Sequence, residues 1–342
     1  MISLLVVNFR SAALAAEAIR TARASTTEAL QVVVVDNSCD AAEAEGLRRY
    51  ADTLLVADKN RGYAGGINLG RAACQGQTII VSNPDVMFAP AAIDHLLDAL
   101  RDASVAGPAF FWDEGHRWML PPGDLNTAPE KLDEVLASRS RVWREERDRR
   151  RFRKRVAFWS QQQTTETRML SGAVMAIRAP DFDLVDGFDE RFRLYFEESD
   201  FLRRLAVLRR RIVHVPASRC RHLFNQSAAQ VAGEAAAHYA QSELRYLEKW
   251  NGPFFARVLK RMERPVPHVD AQPLRLPMPI GRDDVVIEAS PLPTFATAAG
   301  HFPIDREIDV SADILSTMTG DLYLRVVARD SGAVLGTYKI TA

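Results

Sequence analysis

The chain contains little cysteine, and its cysteines are widely separated. Only Cys39, Cys74 and Cys220 occur among 342 residues, and no two of them have the C-x-x-C spacing of a structural zinc site. So sparse a set is typical of a protein from a reducing compartment.

Long apolar segments and a net charge are also missing. No run approaches the roughly 18 apolar residues that a membrane-spanning helix needs, and the stretch Leu4 to Val7 is too short for a signal peptide. Lys plus Arg and Asp plus Glu number 44 each, so the overall charge points to no charged partner. We therefore expect a cytoplasmic protein that does not bind nucleic acid.

Two common nucleotide-binding fingerprints are absent as well. The first strand-to-helix turn, residues 8–11, has no glycine and so lacks the G-x-G-x-x-G of dinucleotide sites, and no G-x-x-x-x-G-K-[ST] loop occurs. Glycines are concentrated instead in the loop from Asn60 to Gly70. Glycine lets a backbone approach a ligand closely, and amides at a helix start favour phosphate.

What the sequence does contain is an alternation of strand and helix patterns. Short β-branched runs predict buried strands at 2–7, 31–35, 53–56 and 78–82, and helical patterns at 11–24 and 41–50 lie between them. Such alternation predicts a doubly wound α/β sheet. Sheets of this kind bind ligands at the carboxyl ends of their strands.

The remaining chain predicts further segments. Residues 112–165 interrupt the α/β pattern, and 139–155 carry ten Arg or Lys against three acids, which predicts an exposed helix. Prolines then mark a linker, and strand patterns follow it. We expect an α/β domain over 1–230 with an insert at 112–165, a helical extension over 231–264, a proline-rich linker over 265–280 and a small all-β module over 281–342.

Two acids follow predicted strands. The carboxylate of Asp36 could accept a hydrogen bond from a pyrimidine N3–H, or it could cap a helix. Asp85, in Asn83-Pro84-Asp85, could bind Mg²⁺ or Mn²⁺ beside a diphosphate, and the alternative is a Pro-Asp turn.

A cluster of acids lies further along. Glu197, Glu198 and Asp200 begin a helical stretch, where acids are ordinary partners of the helix dipole. Aromatic residues precede them, and an acid buried among aromatics has a raised pKa that suits a general base. His222 follows another strand and could ligate a metal, although a structural role is the alternative.

These motifs occur in an order that resembles family 2 of the inverting glycosyltransferases, in its rhamnosyltransferase-like branch. The segments are VVNF, VVVVDNS, NRGYAGGINLG, SNPDV, MLSGAVMAIR, GFDERFRLYFEESDFLRRL and RHLFNQS. The resemblance covers about residues 1–230. It implies a GT-A nucleotide-binding sheet with helices on both faces.

The resemblance also implies roles for single residues. It places Glu198 as the catalytic base, with Glu197 or Asp200 as alternatives, because Glu198 stands where relatives often carry Asp. It assigns Asp85 to a Mg²⁺ or Mn²⁺ ion, with His222 as a further ligand. The implied nucleotide-sugar-binding residues are Asn8, Asp36, Asn37, Arg61, Gly65, Gly66, Asn68 and Asn83.

The implied activity is a metal-dependent transfer of a sugar, such as rhamnose or another hexose, from a dTDP- or UDP-sugar. The acceptor is a hydroxyl of a glycan or lipid-linked glycan, as in surface polysaccharide synthesis. The alternative is an inactive glycan-binding scaffold on the same fold. The basic helix would contact the inner face of the cell membrane or remain solvated, and the β module would serve acceptor binding or contact between subunits of a homo-oligomer.

Overall fold

The computed structural model describes residues 1–223, 232–265, 270–304, 306–318 and 320–341. The chain divides into two compact units that interleave in sequence. The N-terminal unit contains Met1–Ala109, Gly123–Leu125 and Gln162–Ala256, and the C-terminal unit contains Phe110–Pro122, Asn126–Gln161 and Arg257–Ala342. The consecutive domain boundaries expected from the sequence stay a prediction.

Helices and strands alternate along most of the N-terminal part of the chain. They are β1 (Ile2–Asn8), α1 (Ala12–Ala24), β2 (Leu30–Asp36), α2 (Ala41–Leu47), β3 (Thr53–Val56), α3 (Gly62–Arg71), β4 (Thr78–Ser82), β5 (Val86–Phe88), α4 (Ala92–Ala99), β6 (Val105–Phe111), α5 (Ala128–Arg139), α6 (Arg141–Trp159), β7 (Thr165–Glu166), β8 (Val174–Arg178), α7 (Ala179–Leu184), α8 (Glu197–Val207), β9 (Ile212–His222), α9 (Ala232–Asn251), α10 (Pro253–Met262), β10 (Gln272–Pro273), β11 (Met278–Pro279), β12 (Val285–Ser290), β13 (Ala299–His301), β14 (Glu307–Ile308), α11 (Ala312–Thr317), β15 (Leu322–Ala328) and β16 (Val334–Ile340).

The large sheet has nine strands in the order β3-β2-β1-β4-β8-β6-β9-β5, with β7 paired to β9. The first four strands in this order are parallel, whereas β8 runs antiparallel to β4 and β6. Every residue of β1 is buried, which is why the run from Leu4 to Val7 is continuously apolar rather than alternating. The predicted α/β sheet is confirmed.

Two glycines of α3 set the distance between this helix and the sheet. A Cβ at Gly66 would lie 2.7 Å from Cγ1 of Val7, and one at Gly70 would lie 2.2 Å from Cδ1 of Leu5. Larger residues would push α3 away from β1. At these two positions, therefore, the missing side chain serves helix-to-sheet packing.

The C-terminal unit holds a five-stranded sheet in the order β10-β16-β15-β12-β13 and a two-stranded sheet of β11 and β14. This confirms the small β module at the C-terminus. Two of its strands, β10 and β11, lie within the predicted linker at 265–280, of which residues 266–269 are outside the described part of the chain.

Helix α6 is not exposed on all sides, as its charge had suggested. Phe152, Arg155 and Trp159 are buried along one face. A Cβ at Gly300 of β13 would lie 2.4 Å from the ring of Trp159, so the helix packs closely on the β sheet. The expectation of an exposed helix is wrong for this face.

Many cations of α6 are paired with acids of α5. Arg150 and Arg147 approach Asp133 at 2.7 and 3.3 Å, and Lys154 approaches Glu130 at 3.8 Å. These pairs offset much of the local positive charge that the sequence shows. Across the described segments, we find no helix with the length and apolarity needed to cross a membrane.

Candidate active site

Helix α3 is hydrogen-bonded to residues 188–190, the segment that precedes the acidic residues of α8. The Asn68 amide donates to the Phe188 carbonyl at 2.8 Å, and its Oδ1 accepts from the Phe188 N–H at 2.9 Å. The same amide also donates to Oε1 of Glu190 at 3.1 Å. Asn68, which the resemblance assigns to the donor, thus fixes the backbone ahead of the acids.

The backbone is left-handed immediately before α8. Tyr195 and Phe196 have φ values of 67° and 69°, and Phe196 is the N-cap residue of the helix. Residues other than glycine rarely adopt this backbone conformation, and backbone strain of this kind is often found at functional sites. The turn orients the first residues of α8, which are the acids.

Glu197 and Glu198 form a buried acidic pair at this helix start. Burial raises the pKa of Glu198, and burial together with the neighbouring Glu198 charge raises the pKa of Glu197 well above its usual value. Glu197 is only 5% exposed, and its buried Oε2 has no hydrogen-bond partner within the described part of the chain. Glu198 is half-buried and so is the more accessible of the two.

Asp200 lies in a different environment although it is in the same helical turn. Its carboxylate is fully buried and contacts Nε of Arg204 at 2.8 Å, Nζ of Lys249 at 2.6 Å and Nε1 of Trp250 at 2.9 Å. Two cations and an indole N–H thus satisfy this carboxylate.

Asp85 and His222 are brought together by strand pairing. β5 is antiparallel to β9, and Val86 pairs with His222. Nε2 of His222 lies 3.4 Å from Oδ1 of Asp85, a buried oxygen for which the described residues provide no well-formed hydrogen bond. A buried carboxylate oxygen with an imidazole nitrogen beside it is a donor set that fits a divalent cation.

The polar residues at the ends of β1 and β2 form one hydrogen-bonded group. Asp36 is fully buried and accepts from Oγ of Ser38 at 2.7 Å and from Nδ2 of Asn8 at 2.9 Å. Asn37 donates from Nδ2 to the Gly62 carbonyl at 2.9 Å, and no described residue donates a hydrogen bond to its buried Oδ1. The structure thus joins Asn8, Asp36 and Asn37 to the start of α3.

The other predicted donor residues lie at the start of α3 and after β4. Arg61 is exposed and pairs with Asp58 at 2.9 Å. Gly65 is buried beside Glu190, whose Oε2 would be 3.5 Å from a Cβ at that position. The Asn83 N–H donates to the carbonyl of Ala173 at 2.8 Å, which links the loop that carries Asp85 to the segment before β8.

Tyr63 lies near both the acidic pair and Asp85, and its role was not predicted from the sequence. Its hydroxyl donates to the Gly172 carbonyl at 3.0 Å. Burial raises its pKa well above the usual value, and the charges of Glu197, Glu198 and Asp85 raise it further. The tyrosine therefore lies within electrostatic range of the acid pair and of the candidate metal ligand. Its position in the glycine-rich loop was the only sequence feature that could have pointed to a role in the site.

Comparison with known proteins identifies a family for much of the N-terminal unit. Residues 3–170 match the family model of "Glycosyl transferase family 2". Residues 3–170 form a family 2 glycosyltransferase domain. This match includes the ends of β1, β2 and β4, the start of α3 and Asp85.

The glycosyltransferase has a curated relative in two strains of Mycobacterium tuberculosis, named N-acetylglucosaminyl-diphospho-decaprenol L-rhamnosyltransferase. The two chains are 26% identical over 247 residues, which is 67% of this chain and 78% of the relative. The resemblance to rhamnosyltransferases predicted from the motifs is confirmed by this relative.

Similar solved structures are also glycosyltransferases. A mannosyltransferase from Pyrobaculum calidifontis, in complex with GDP-Man and Mn²⁺, has a TM-score of 0.49 at 13% identity and aligns over 76% of this chain and 73% of its own. TarS residues 1–349 from S. aureus gives a TM-score of 0.42 at 16% identity, over 69% of this glycosyltransferase and 64% of that chain.

Proposed function

We propose that this glycosyltransferase transfers a sugar from a nucleoside-diphosphate sugar to a hydroxyl of a lipid-linked glycan, with inversion at the anomeric carbon. The donor is a dTDP- or UDP-sugar, and the likeness to the mycobacterial relative favours rhamnose. The observation that carries the proposal is a half-buried glutamate, Glu198, with a raised pKa at the strained start of α8.

Glu198 is the general base in this proposal. Its carboxylate takes the proton from the acceptor hydroxyl, and the oxygen then attacks the anomeric carbon from the face opposite the leaving diphosphate. The transition state resembles an oxocarbenium ion, as in other glycosyl chemistry. Since burial disfavours the charged carboxylate, it also strengthens the base once that group has lost its proton.

Asp85 and His222 are the proposed ligands of Mg²⁺ or Mn²⁺. Such ions are usually held by one or two protein groups together with phosphate oxygens and water, so two protein ligands suffice. When bound, the ion would neutralise charge on the departing nucleoside diphosphate. The buried Oδ1 of Asp85, with the imidazole of His222 3.4 Å away, supports this assignment.

The donor is proposed to bind where β1, β2 and α3 meet. The Oδ1 of Asn37, which accepts no hydrogen bond from the described residues, and the guanidinium of Arg61 would serve polar groups of the nucleotide, and we assign Asn8, Gly65 and Asn83 to the same donor site. Asp36 would have to exchange its contact with Ser38 to accept from a base. Gly66 and Asn68 contribute by holding α3 and the segment ahead of the acids.

The test compares Glu198→Gln with the wild-type chain on a panel of dTDP- and UDP-sugars, with a lipid-linked GlcNAc acceptor and Mn²⁺. We expect turnover to fall by roughly a hundredfold or more, as for loss of a general base, while donor affinity is kept. In the wild type, turnover should fall as the pH is lowered through the raised pKa of Glu198, because the base is then protonated.

Two matched variants separate the acids. Glu197→Gln tests the neighbouring carboxylate, and Asp200→Asn tests the ion-paired one. Near-normal turnover in Glu198→Gln together with an inactive Glu197→Gln would move the base by one residue. A wild-type chain that binds acceptor glycan but turns over no donor would favour the scaffold alternative.

A further inference from the structure

We propose that Tyr63 is a positioning residue, which holds the turn at Gly172 against the side chain of Glu198 and so fixes the orientation of the base. This inference rests on the proposed role of Glu198. In the proposed role, the Tyr63 side chain acts through its hydrogen bond to the protein backbone and does not touch the substrate.

Tyr63 joins α3 to two separate segments of the N-terminal unit. Its hydroxyl donates to the carbonyl of Gly172 at 3.0 Å, and its backbone N–H donates to the carbonyl of Arg193 at 3.1 Å. The first segment precedes β8, and the second precedes α8. A single residue at the start of α3 therefore ties together the two segments that surround the acid pair.

Gly172 is in direct contact with the proposed base. A Cβ at this position would lie 3.2 Å from both Cβ and Cγ of Glu198, closer than an ordinary van der Waals contact. The turn backbone thus forms a wall beside the glutamate stem. Because the Tyr63 hydroxyl bonds the Gly172 carbonyl, it fixes the position of this wall.

The neighbouring residue extends the connection to the candidate metal loop. Ala173 accepts from the N–H of Asn83 at 2.8 Å. The segment 172–173 therefore contacts Tyr63, Glu198 and the loop that carries Asp85. A shift of this segment would change the distance between the base and the donor.

The electrostatics agree with a hydrogen-bonding role. Burial and the charges of Glu197, Glu198 and Asp85 hold the pKa of Tyr63 well above 10, so the phenol stays protonated at neutral pH. It can donate its hydrogen bond throughout the working range and does not compete with Glu198 for the substrate proton.

The decisive variant is Tyr63→Phe, which removes the hydroxyl and keeps the ring. We expect kcat to fall by about tenfold, since a small misplacement of a reacting group is costly. Donor KM, nucleotide affinity in Mn²⁺ and the thermal unfolding midpoint should stay near their wild-type values. Tyr50→Phe is the matched control, because the Tyr50 hydroxyl bonds the exposed Arg49 side chain at 2.7 Å.

Gly172→Ala tests the same wall from its other side and does not depend on how Tyr63→Phe folds. The added methyl group must displace the stem of Glu198, so kcat should fall with donor KM again unchanged. An unchanged kcat in Tyr63→Phe, or a loss of donor affinity that accounts for the whole effect, would overturn the positioning role. Full turnover by Glu198→Gln would instead refute the proposed base itself.

Discussion

Replacing Glu288 with glutamine should destabilise the C-terminal unit, because this carboxylate is buried between two guanidinium groups. Glu288 is fully buried in β12, its Oε1 lies 2.8 Å from Arg155 of α6, and its Oε2 lies 2.5 Å from Arg325 of β15. Arg155 also donates to the Phe295 carbonyl at 2.8 Å. The substitution leaves two largely buried cations without their shared anion.

The expected loss follows from the balance of burial and attraction. Burial lowers the pKa of Arg155 to about 10 even though Glu288 acts to raise it, so the intact triad is a weak net stabiliser. Removing one partner from a buried pair, by contrast, costs roughly 3–5 kcal/mol. A domain has only about 5–15 kcal/mol of stability in total, so the loss is a large share.

Urea unfolding followed by tryptophan fluorescence measures this change. The C-terminal unit contains Trp112, Trp118, Trp143 and Trp159, whereas the N-terminal unit contains Trp250. With a slope of about 2 kcal/mol per molar urea, we expect the midpoint of the C-terminal unit to fall by about 2 M.

Two further variants complete the test. Asp284→Asn removes an acid of the exposed ion pair with Arg282 in the same unit, and it should leave the midpoint unchanged. Arg155→Met added to Glu288→Gln should recover part of the loss, because it removes one of the stranded cations. A midpoint in Glu288→Gln equal to that of the wild type would refute the reasoning.

Two other predictions concern the metal and the basic helix. Asp85→Ala should abolish the Mn²⁺-dependent part of donor affinity without lowering the unfolding midpoint, measured by calorimetric titration with a nucleoside diphosphate, and unchanged affinity would contradict the metal assignment. Arg144 and Arg153, which have no ion pair among the residues that the structure describes, should give weak binding of anionic vesicles at low salt. That binding should disappear in Arg144→Gln/Arg153→Gln, and vesicle flotation that does not respond to salt or to these changes would exclude the membrane contact.

The strands of the large sheet could be predicted from the sequence nearly residue by residue. β3 and β4 have the bounds expected for them. In β4 four of the five residues are buried, and a buried strand needs a nearly continuous apolar run, whereas β3 lies at the edge of the sheet and is only partly buried. The position of β8 between β4 and β6 could not be predicted, since strand order is set by pairing between distant segments. The pairing of β10 with β16 could not be predicted for the same reason.

The glycine-rich loop shows why a motif can be located without its physical role. A close approach of the backbone to a ligand and a close approach of a helix to a sheet both require the absence of Cβ. The sequence of α3 satisfies both, and only the contacts of Gly66 with Val7 and Gly70 with Leu5 identify the sheet as the neighbour. The structural roles of Tyr63 and Asn68 could not be predicted for a related reason. Both side chains form hydrogen bonds to backbone groups of distant residues, and a sequence does not show which backbone groups will be near.

The three acids of α8 illustrate what the fold adds to a motif. Successive residues of a helix point about 100° apart, so residues 197, 198 and 200 face different surroundings although they are adjacent in sequence. Asp200 faces Arg204 and Lys249, which occupy its oxygens, and Glu197 is almost completely enclosed. Glu198 combines a raised pKa, which makes its carboxylate a stronger base, with partial exposure, which lets it reach the acceptor hydroxyl. This is why we favour Glu198, and why the glutamate found where relatives often carry aspartate is compatible with catalysis.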